Sequence, residues 1–265
     1  MITKNLKIAL IEDDIKWGDK YANLEQLGRN IQKVSNGTDI IVLPELFTTG
    51  FIVDESARQL AELNTGETVK YLKNLASYYN VAFAGSFLAT DDSGNLYNRG
   101  FFLEPNGDEM FYDKRHLFTM SGEQNVYTSG EKTSVIVRFR GFNIKLIVCY
   151  DLRFPVFCRN VNNAYDVLIV VANWPKVRLQ PWKTLLQARA IENECYVCGV
   201  NRCGTDPKGL EYATGASLII DFKGKIIGER DTSPIIEAEL SPANLIRFRE
   251  KFPAWRDADE FALTT

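Results

Sequence analysis

Asp39-Ile40-Ile41-Val42-Leu43-Pro44-Glu45-Leu46-Phe47 carries four apolar residues in a row, then a proline and a carboxylate. A short apolar run without polar alternation is the pattern of a strand covered on both faces, as in a parallel sheet. Residues 81–88, 144–148 and 167–172 read the same way. Between these runs lie stretches with apolar residues at helical spacing, at 21–34, 68–79 and 182–193, the first closed by Asn36-Gly37. Residues 95–110 read as a hairpin turning at Pro105-Asn106-Gly107, and 217–229 as another turning at Phe222-Lys223-Gly224. Strands that need cover on both faces, interleaved with amphipathic helices, make a layered α/β fold. No low-complexity segment, repeat or linker interrupts the chain, so residues 1–265 are expected to form one domain.

Composition narrows the function. Hydrophobic residues make up 45% and charged residues 25%, which excludes a disordered or collagen-like chain. With 31 basic and 34 acidic side chains, the chain is weakly acidic and lacks the field that gathers phosphate backbone, so no nucleic-acid partner is expected. No apolar run approaches the ~18 residues of a membrane span. The first apolar stretch is short and runs into Glu12-Asp13-Asp14, unlike a secretory leader. Five cysteines, an odd number, point to free thiols and a cytoplasmic location.

Chemistry is expected where a buried strand ends in a reactive side chain. Glu45 follows the first run after a single proline, and a carboxylate buried behind Pro44 and Phe47 would be a stronger base than an exposed one. Lys114 stands among aromatics in Phe111-Tyr112-Asp113-Lys114-Arg115-His116, beside the only histidine. A lone histidine is more often a hydrogen-bonded structural group than a catalyst, and His116 is read that way. Cys149 closes the run Leu146-Ile147-Val148 and is followed by Tyr150-Asp151-Leu152-Arg153-Phe154-Pro155. That is a strand-to-helix elbow, where a helix N-terminus would lower the thiol pKa; the alternative is a buried structural cysteine.

Taken together, the motifs LPELF at 43–47, DKRHLF at 113–118 and CYDLRFP at 149–155 resemble those of the nitrilase superfamily, the carbon–nitrogen hydrolases. The spacing fits as well, with Lys114 69 residues after Glu45 and Cys149 35 residues after Lys114. Asn173-Trp174-Pro175 and the helical stretch Leu186–Asn193 support it, and the tail around Arg247–Pro253 is similar to the bacterial omega-amidase subgroup. The resemblance implies a four-layer α-β-β-α sandwich, usually paired into dimers. It makes Cys149 the nucleophile, Glu45 the general base, Lys114 the oxyanion stabiliser and Glu123 the second glutamate at the edge of the cleft. The tail from about residue 241 is then expected at a subunit interface, with Phe248, Phe252 and Trp255 as contacts. The implied activity is hydrolysis of a short ω-amide of a dicarboxylic acid, such as 2-oxoglutaramate or 2-oxosuccinamate. The other activities of the superfamily (carbamoylase, aliphatic amidase, nitrilase) are alternatives, as is a non-catalytic binding protein of the same fold.

An ordinary thiol near pKa 8.5 facing an ordinary glutamate near 4.3 leaves proton transfer roughly 5–6 kcal/mol uphill. Burial of Glu45, with Lys114 and a helix dipole acting on Cys149, is expected to close that gap. The Tyr150 backbone N–H joins Lys114 as oxyanion donor. A dicarboxylate ω-amide needs a second cation for its free carboxylate. Arg178 is favoured, with Lys176 beside it; Arg153 is expected to pair with Asp151 or another acid instead. Trp174 and Phe51 are expected to wall the pocket. No cofactor is expected. A zinc site is disfavoured: Cys195 and Cys198 would point to opposite faces of a strand, and a fourth ligand is lacking.

Overall fold

The computed structural model describes residues 4–130, 135–259 and 261. Its strands are β1 (Leu6–Ile11), β2 (Ile40–Val42), β3 (Ala82–Thr90), β4 (Leu96–Leu103), β5 (Glu109–Asp113), β6 (Ile136–Phe139), β7 (Phe142–Val148), β8 (Val167–Ala172), β9 (Tyr196–Asn201), β10 (Gly204–Thr205), β11 (Glu211–Tyr212), β12 (Leu218–Ile220), β13 (Ile226–Glu229) and β14 (Ile235–Leu240). The helices are α1 (Lys20–Ile31), α2 (Ala57–Leu60), α3 (Glu67–Tyr79), α4 (Pro155–Cys158), α5 (Leu179–Glu192) and α6 (Pro242–Lys251). Two six-stranded sheets form, in the orders β14-β1-β2-β3-β4-β5 and β13-β12-β9-β8-β7-β6. In the first, β1, β2 and β3 are parallel and the outer pairings antiparallel. In the second, β7, β8 and β9 are parallel and the outer pairings again antiparallel. The two halves therefore repeat one topology, a duplication carried by strand order that local sequence similarity does not reveal.

The period of two along each strand sorts the side chains into layers. Ala9, Ile11, Ile41 and Phe83 face outward, packing with Leu24, Leu27 and Ile31 of α1 and Val69, Leu72 and Ala76 of α3. Their neighbours Ile8, Leu10, Ile40, Val42 and Ala84 face inward and join the second sheet in one core. On the far side, α5 lays Trp182, Leu186 and Ala190 over that sheet, close enough that a Cβ at Gly199 would meet Leu186 at 2.5 Å. The layers run α-β-β-α, as the expected sandwich requires. Among the described residues no helix is long and apolar enough to cross a membrane.

Several boundaries differ from expectation. Helix α1 ends at Ile31 because tight i→i+3 bonds from Lys33 and Val34 wind the chain out before Asn36-Gly37. Helix α5 begins at Leu179, with Pro181 tolerated in its first turn. The tail folds back on its own chain: α6 buries Leu245, and Phe248 lies 4.8 Å from Phe222. Arg249 anchors α6 on Asp166, Tyr165 and Glu194. Phe248 is thus an internal contact, whereas Phe252 is 60% exposed.

Candidate active site

Lys114 and Cys149 directly follow β5 and β7, Glu45 follows β2 after Leu43 and Pro44, and all three line one cleft of about 270 Å3. Glu45 is fully buried and its two oxygens are treated differently. Oε1 accepts from Asn98 Nδ2 at 2.7 Å and Lys114 Nζ at 3.1 Å. Oε2 has no hydrogen-bond partner among the described residues. The loop carrying Glu45 is pinned from three sides. Ser86 Oγ accepts from the Leu46 N–H and donates to Asn98, and Asn173 Nδ2 donates to the Glu45 carbonyl at 3.0 Å. This network holds Leu46 at φ 48°, a conformation that costs a non-glycine residue on the order of 1–3 kcal/mol.

Lys114 Nζ lies between Glu45 and Glu123, 2.8 and 3.0 Å from the Glu123 oxygens. Burial acts against its charge, but the Glu123 and Glu45 carboxylates outweigh it and hold the Lys114 pKa well above the usual lysine value. Glu123 is pushed up by burial and by Glu45, against the pull of Lys114. Expected at the edge of the cleft, Glu123 is instead wholly buried and absent from its lining. It accepts from the Phe118 N–H as well, so it positions Lys114 from behind.

Cys149 sits at φ 50°, again left-handed. No long helix follows: Cys149–Arg153 is a 3-10 segment, and α4 spans only Pro155–Cys158. A helix dipole strong enough to acidify the thiol is therefore missing. Burial, then the Glu45 charge, push the Cys149 pKa well up, although Lys114 and the Asn173 backbone N–H pull it down. The expectation of a depressed pKa is corrected: burial and the neighbouring carboxylate both favour the protonated thiol over the thiolate. Tyr150 and its backbone N–H stand in the first turn of this segment, where N–H groups lack intrahelical partners.

The elbow is held by Asp151, which is buried and accepts from the Val148 N–H, the His116 N–H and the Tyr112 hydroxyl. His116 Nδ1 lies 2.7 Å from Asp151 Oδ1, and its ring stacks on Phe154 at 3.8 Å. His116 thus braces the elbow and is absent from the cleft lining. Arg189 of α5 donates to the Leu152 carbonyl from the other side.

Aromatic and cationic side chains make up much of the remaining cleft lining. Phe51 and Trp174 are among them, the former 5.4 Å from Lys114 Nζ. Arg178 lies over Phe118 at 5.0 Å and Arg153 over Trp174 at 4.5 Å, both lining the cleft. Arg153 does not pair with Asp151, whose oxygens are taken by His116, Tyr112 and Val148. Neither arginine has a carboxylate partner among the described residues. Lys176 points elsewhere: it is exposed and bridged to Glu211 at 2.7 Å. Sequence reasoning missed the β10–β11 hairpin, which brings Asp206, Lys208 and Tyr212 to the cleft. Its only local signal is the turn Asp206-Pro207-Lys208-Gly209, common to any surface loop. Asn98 was missed too, a polar residue inside an otherwise ordinary hairpin strand. All five cysteines are free, and no group of three or more metal-ligating side chains gathers among the described residues.

Comparison with known proteins places the chain. The carbon–nitrogen hydrolase family model matches residues 7–250. The chain is 46% identical to omega-amidase YafV of Escherichia coli K12 over 260 residues, covering 97% of this chain and 98% of that protein. It is 32% identical to a 2-oxoglutaramate amidase of Bacillus subtilis, covering 94% and 96%. The crystal structure of XC1258 from Xanthomonas campestris, a CN-hydrolase superfamily protein with an arsenic adduct in its active site, superposes with a TM-score of 0.92. That protein is 38% identical, with 98% and 99% of the two chains covered. On this full-length match of sequence and architecture, the chain belongs to the carbon–nitrogen hydrolase family.

Proposed function

We propose that the protein hydrolyses the ω-amide of a short dicarboxylic acid, of the 2-oxoglutaramate or 2-oxosuccinamate type, to the acid and ammonia. The observation that carries this reading is the make-up of one cleft. Glu45, Lys114 and Cys149 line it together with two arginines, Arg153 and Arg178, that lie over aromatic rings and have no carboxylate partner among the described residues. The named activities of the omega-amidase and 2-oxoglutaramate amidase relatives support the same substrate class.

In this mechanism Cys149 attacks the amide carbon and passes its proton to the free oxygen of Glu45. Coupling proton transfer to attack suits a thiol whose pKa burial has raised, because no separate thiolate need form. The oxyanion is held by the Lys114 ammonium, kept charged by its two carboxylates, and by the Tyr150 backbone N–H; losing one such donor typically costs ~3–4 kcal/mol. Glu45 protonates the departing nitrogen, ammonia leaves, and water, activated by Glu45, cleaves the thioester. Glu123 keeps Lys114 aimed at the oxyanion. Arg178, with Arg153 beside it, holds the substrate carboxylate, and Phe51 and Trp174 restrict the acyl chain.

Ammonia release from a panel of ω-amides, simple amides, nitriles and N-carbamoyl compounds tests this. The ω-amides are expected to lead; a nitrile preference, or carbon dioxide released with ammonia, overturns the reading.

We also propose that the protein acts as a homodimer in the cytoplasm. Val156, Val161, Ile191, Ile246 and Phe252 are apolar and exposed on or beside the outer helices α4, α5 and α6, and all five thiols are free. Light scattering that gives a monomer at micromolar concentration overturns the dimer.

A further inference from the structure

We propose that the side-chain oxygen of Asn173 accepts an N–H of the scissile carboxamide, and that this bond makes the site select amides over esters of the same acid. The inference rests on the amidase reading above and goes on to assign what recognises the leaving nitrogen.

Asn173 follows β8 and lines the cleft, with 7% of its surface exposed. It shares that lining with Cys149, whose thiol pKa its backbone N–H acts to lower, so the residue borders the reacting atoms. The orientation of its amide is fixed by its neighbour: Nδ2 donates to the Glu45 carbonyl at 3.0 Å, and a flip would set two acceptors against each other. Oδ1 is thereby left without a hydrogen-bond partner among the described residues. A buried acceptor left unpaired is costly, and native structures seldom keep one without a purpose. Two such acceptors belong to residues of this cleft, Asn173 Oδ1 and Glu45 Oε2, and the same asparagine ties them together through the Glu45 carbonyl.

The chemistry of the departing group matches that pair. A primary carboxamide brings two N–H donors to the leaving atom; an ester or a nitrile brings none. When the tetrahedral species collapses, the C–N bond breaks, and the nitrogen takes the proton that Glu45 received from the thiol. That transfer needs the nitrogen lone pair aimed at Glu45, with both N–H bonds turned away from it. An acceptor at Asn173 holds one of those N–H bonds and so orients the lone pair. The sulfur keeps the acyl group as a thioester, and ammonia carries off the nitrogen and the proton.

The test measures kcat/KM for 2-oxosuccinamate and for the matching ω-methyl ester, in the wild-type protein and in Asn173→Leu and Asn173→Asp. This parameter reports the steps through acyl transfer, so a slow thioester hydrolysis does not mask the effect. The amide-to-ester ratio is expected to fall about tenfold in Asn173→Leu, the size of one lost hydrogen bond. In Asn173→Asp, whose carboxyl keeps an acceptor oxygen of the same length and, when protonated, a donor for the Glu45 carbonyl, the ratio should stay within about threefold of wild type at the pH where that carboxyl holds its proton. Asn173→Ala replaces the leucine variant if that protein does not fold. An equal loss on both substrates in the leucine variant assigns Asn173 only the support of the Glu45 loop and overturns the proposal. So does a ratio that falls alike in the leucine and aspartate variants. Failure of the wild-type protein to release ammonia from any ω-amide is a separate result, and it removes the amidase reading itself.

Discussion

Replacing Lys114 by methionine tests the electrostatics of the site more severely than it tests the chemistry. The ammonium is fully buried with carboxylate oxygens at 2.8, 3.0 and 3.1 Å, and methionine keeps the length of the chain without the charge. What remains is Glu45 and Glu123 sharing one dry space without a cation. Removing one partner of a buried ionic group typically costs about 3–5 kcal/mol. At roughly 2–4 °C per kcal/mol for a chain of this size, the melting temperature should fall by about 6–20 °C at pH 8. The sign of the pH dependence follows from the same geometry. Two carboxylates at close range raise the affinity of one for a proton, so the folded variant holds a proton that the unfolded chain has released above pH ~4.3. Stability then falls as pH rises through that window, by up to about 1.4 kcal/mol per pH unit per extra proton. Circular-dichroism melts at pH 5.5 and pH 8 read this directly: the variant should recover toward wild type at the lower pH. Lys114→Met/Glu123→Gln, which removes one of the stranded charges, should recover at both. A Lys114→Met protein that melts within 2 °C of wild type at both pH values, as a rough error of such melts, would refute the claim that Lys114 holds two ionised carboxylates.

The wild-type protein carries a signature of the same sign, displaced to alkaline pH. Because the Lys114 pKa is raised in the fold, its contribution is complete below the ordinary lysine value near 10.5 and drains away as pH rises through the folded value, which a denaturant series from pH 8 to 11 reads. Cys149→Ala should abolish ammonia release while leaving the melt near wild type; turnover surviving in that variant removes Cys149 as nucleophile. Arg178→Ala should cost ω-amides on the order of 2–5 kcal/mol in kcat/KM, at the low end if Arg153 compensates, and barely touch simple amides. Equal losses on both would take Arg178 out of the carboxylate clamp. Asp151→Asn should lower kcat and stability together, since Asp151 holds both the elbow and the Lys114 turn; an effect confined to KM would contradict its buried position.

The parallel strands were legible in the sequence because their constraint is local. Ile40–Val42 and Val167–Ala172 are covered on both faces, so every residue in them must be apolar. Glu45 and Cys149 were legible for a related reason, since each breaks such a pattern after a buried strand, whereas Lys114 follows the partly exposed β5 and was read from its motif and spacing. Groups held by distant partners were not. Nothing in the sequence announces that Asn98 will meet Glu45, 53 residues away, or that the Asp206–Tyr212 hairpin will line the cleft. Strands of two residues such as β10 and β11 have no period to read. The Cys149 environment was misjudged because the residues after it look like the start of a helix, whereas Phe154 at φ −104° ends the 3-10 segment and α4 beyond it spans only Pro155–Cys158. Arg153 was misjudged because sequence proximity to Asp151 carries no information about which acceptors His116 and Tyr112 have already filled.

The repeated topology explains why one cleft can combine these groups at all. In each sheet the parallel strands end on the same side, and ligands gather at the carboxyl ends of such strands. Glu45 leaves the first sheet at β2, and Cys149 leaves the second at β7. Stacking the two sheets with those ends together brings the carboxylate and the thiol face to face across the inter-sheet core. A single sheet would place both on neighbouring strands at one rim, open to water. Between two sheets, each group is buried by the other's scaffold. That burial raises the thiol pKa, makes the Lys114 charge depend on two carboxylates, and leaves Glu45 one free oxygen. The same enclosure sets a cost: any substitution that unbalances the three charges is felt in folding as well as in turnover. Stability and activity should therefore fall together for Lys114 variants and separate for Cys149→Ala, which leaves the Glu45, Lys114 and Glu123 contacts in place.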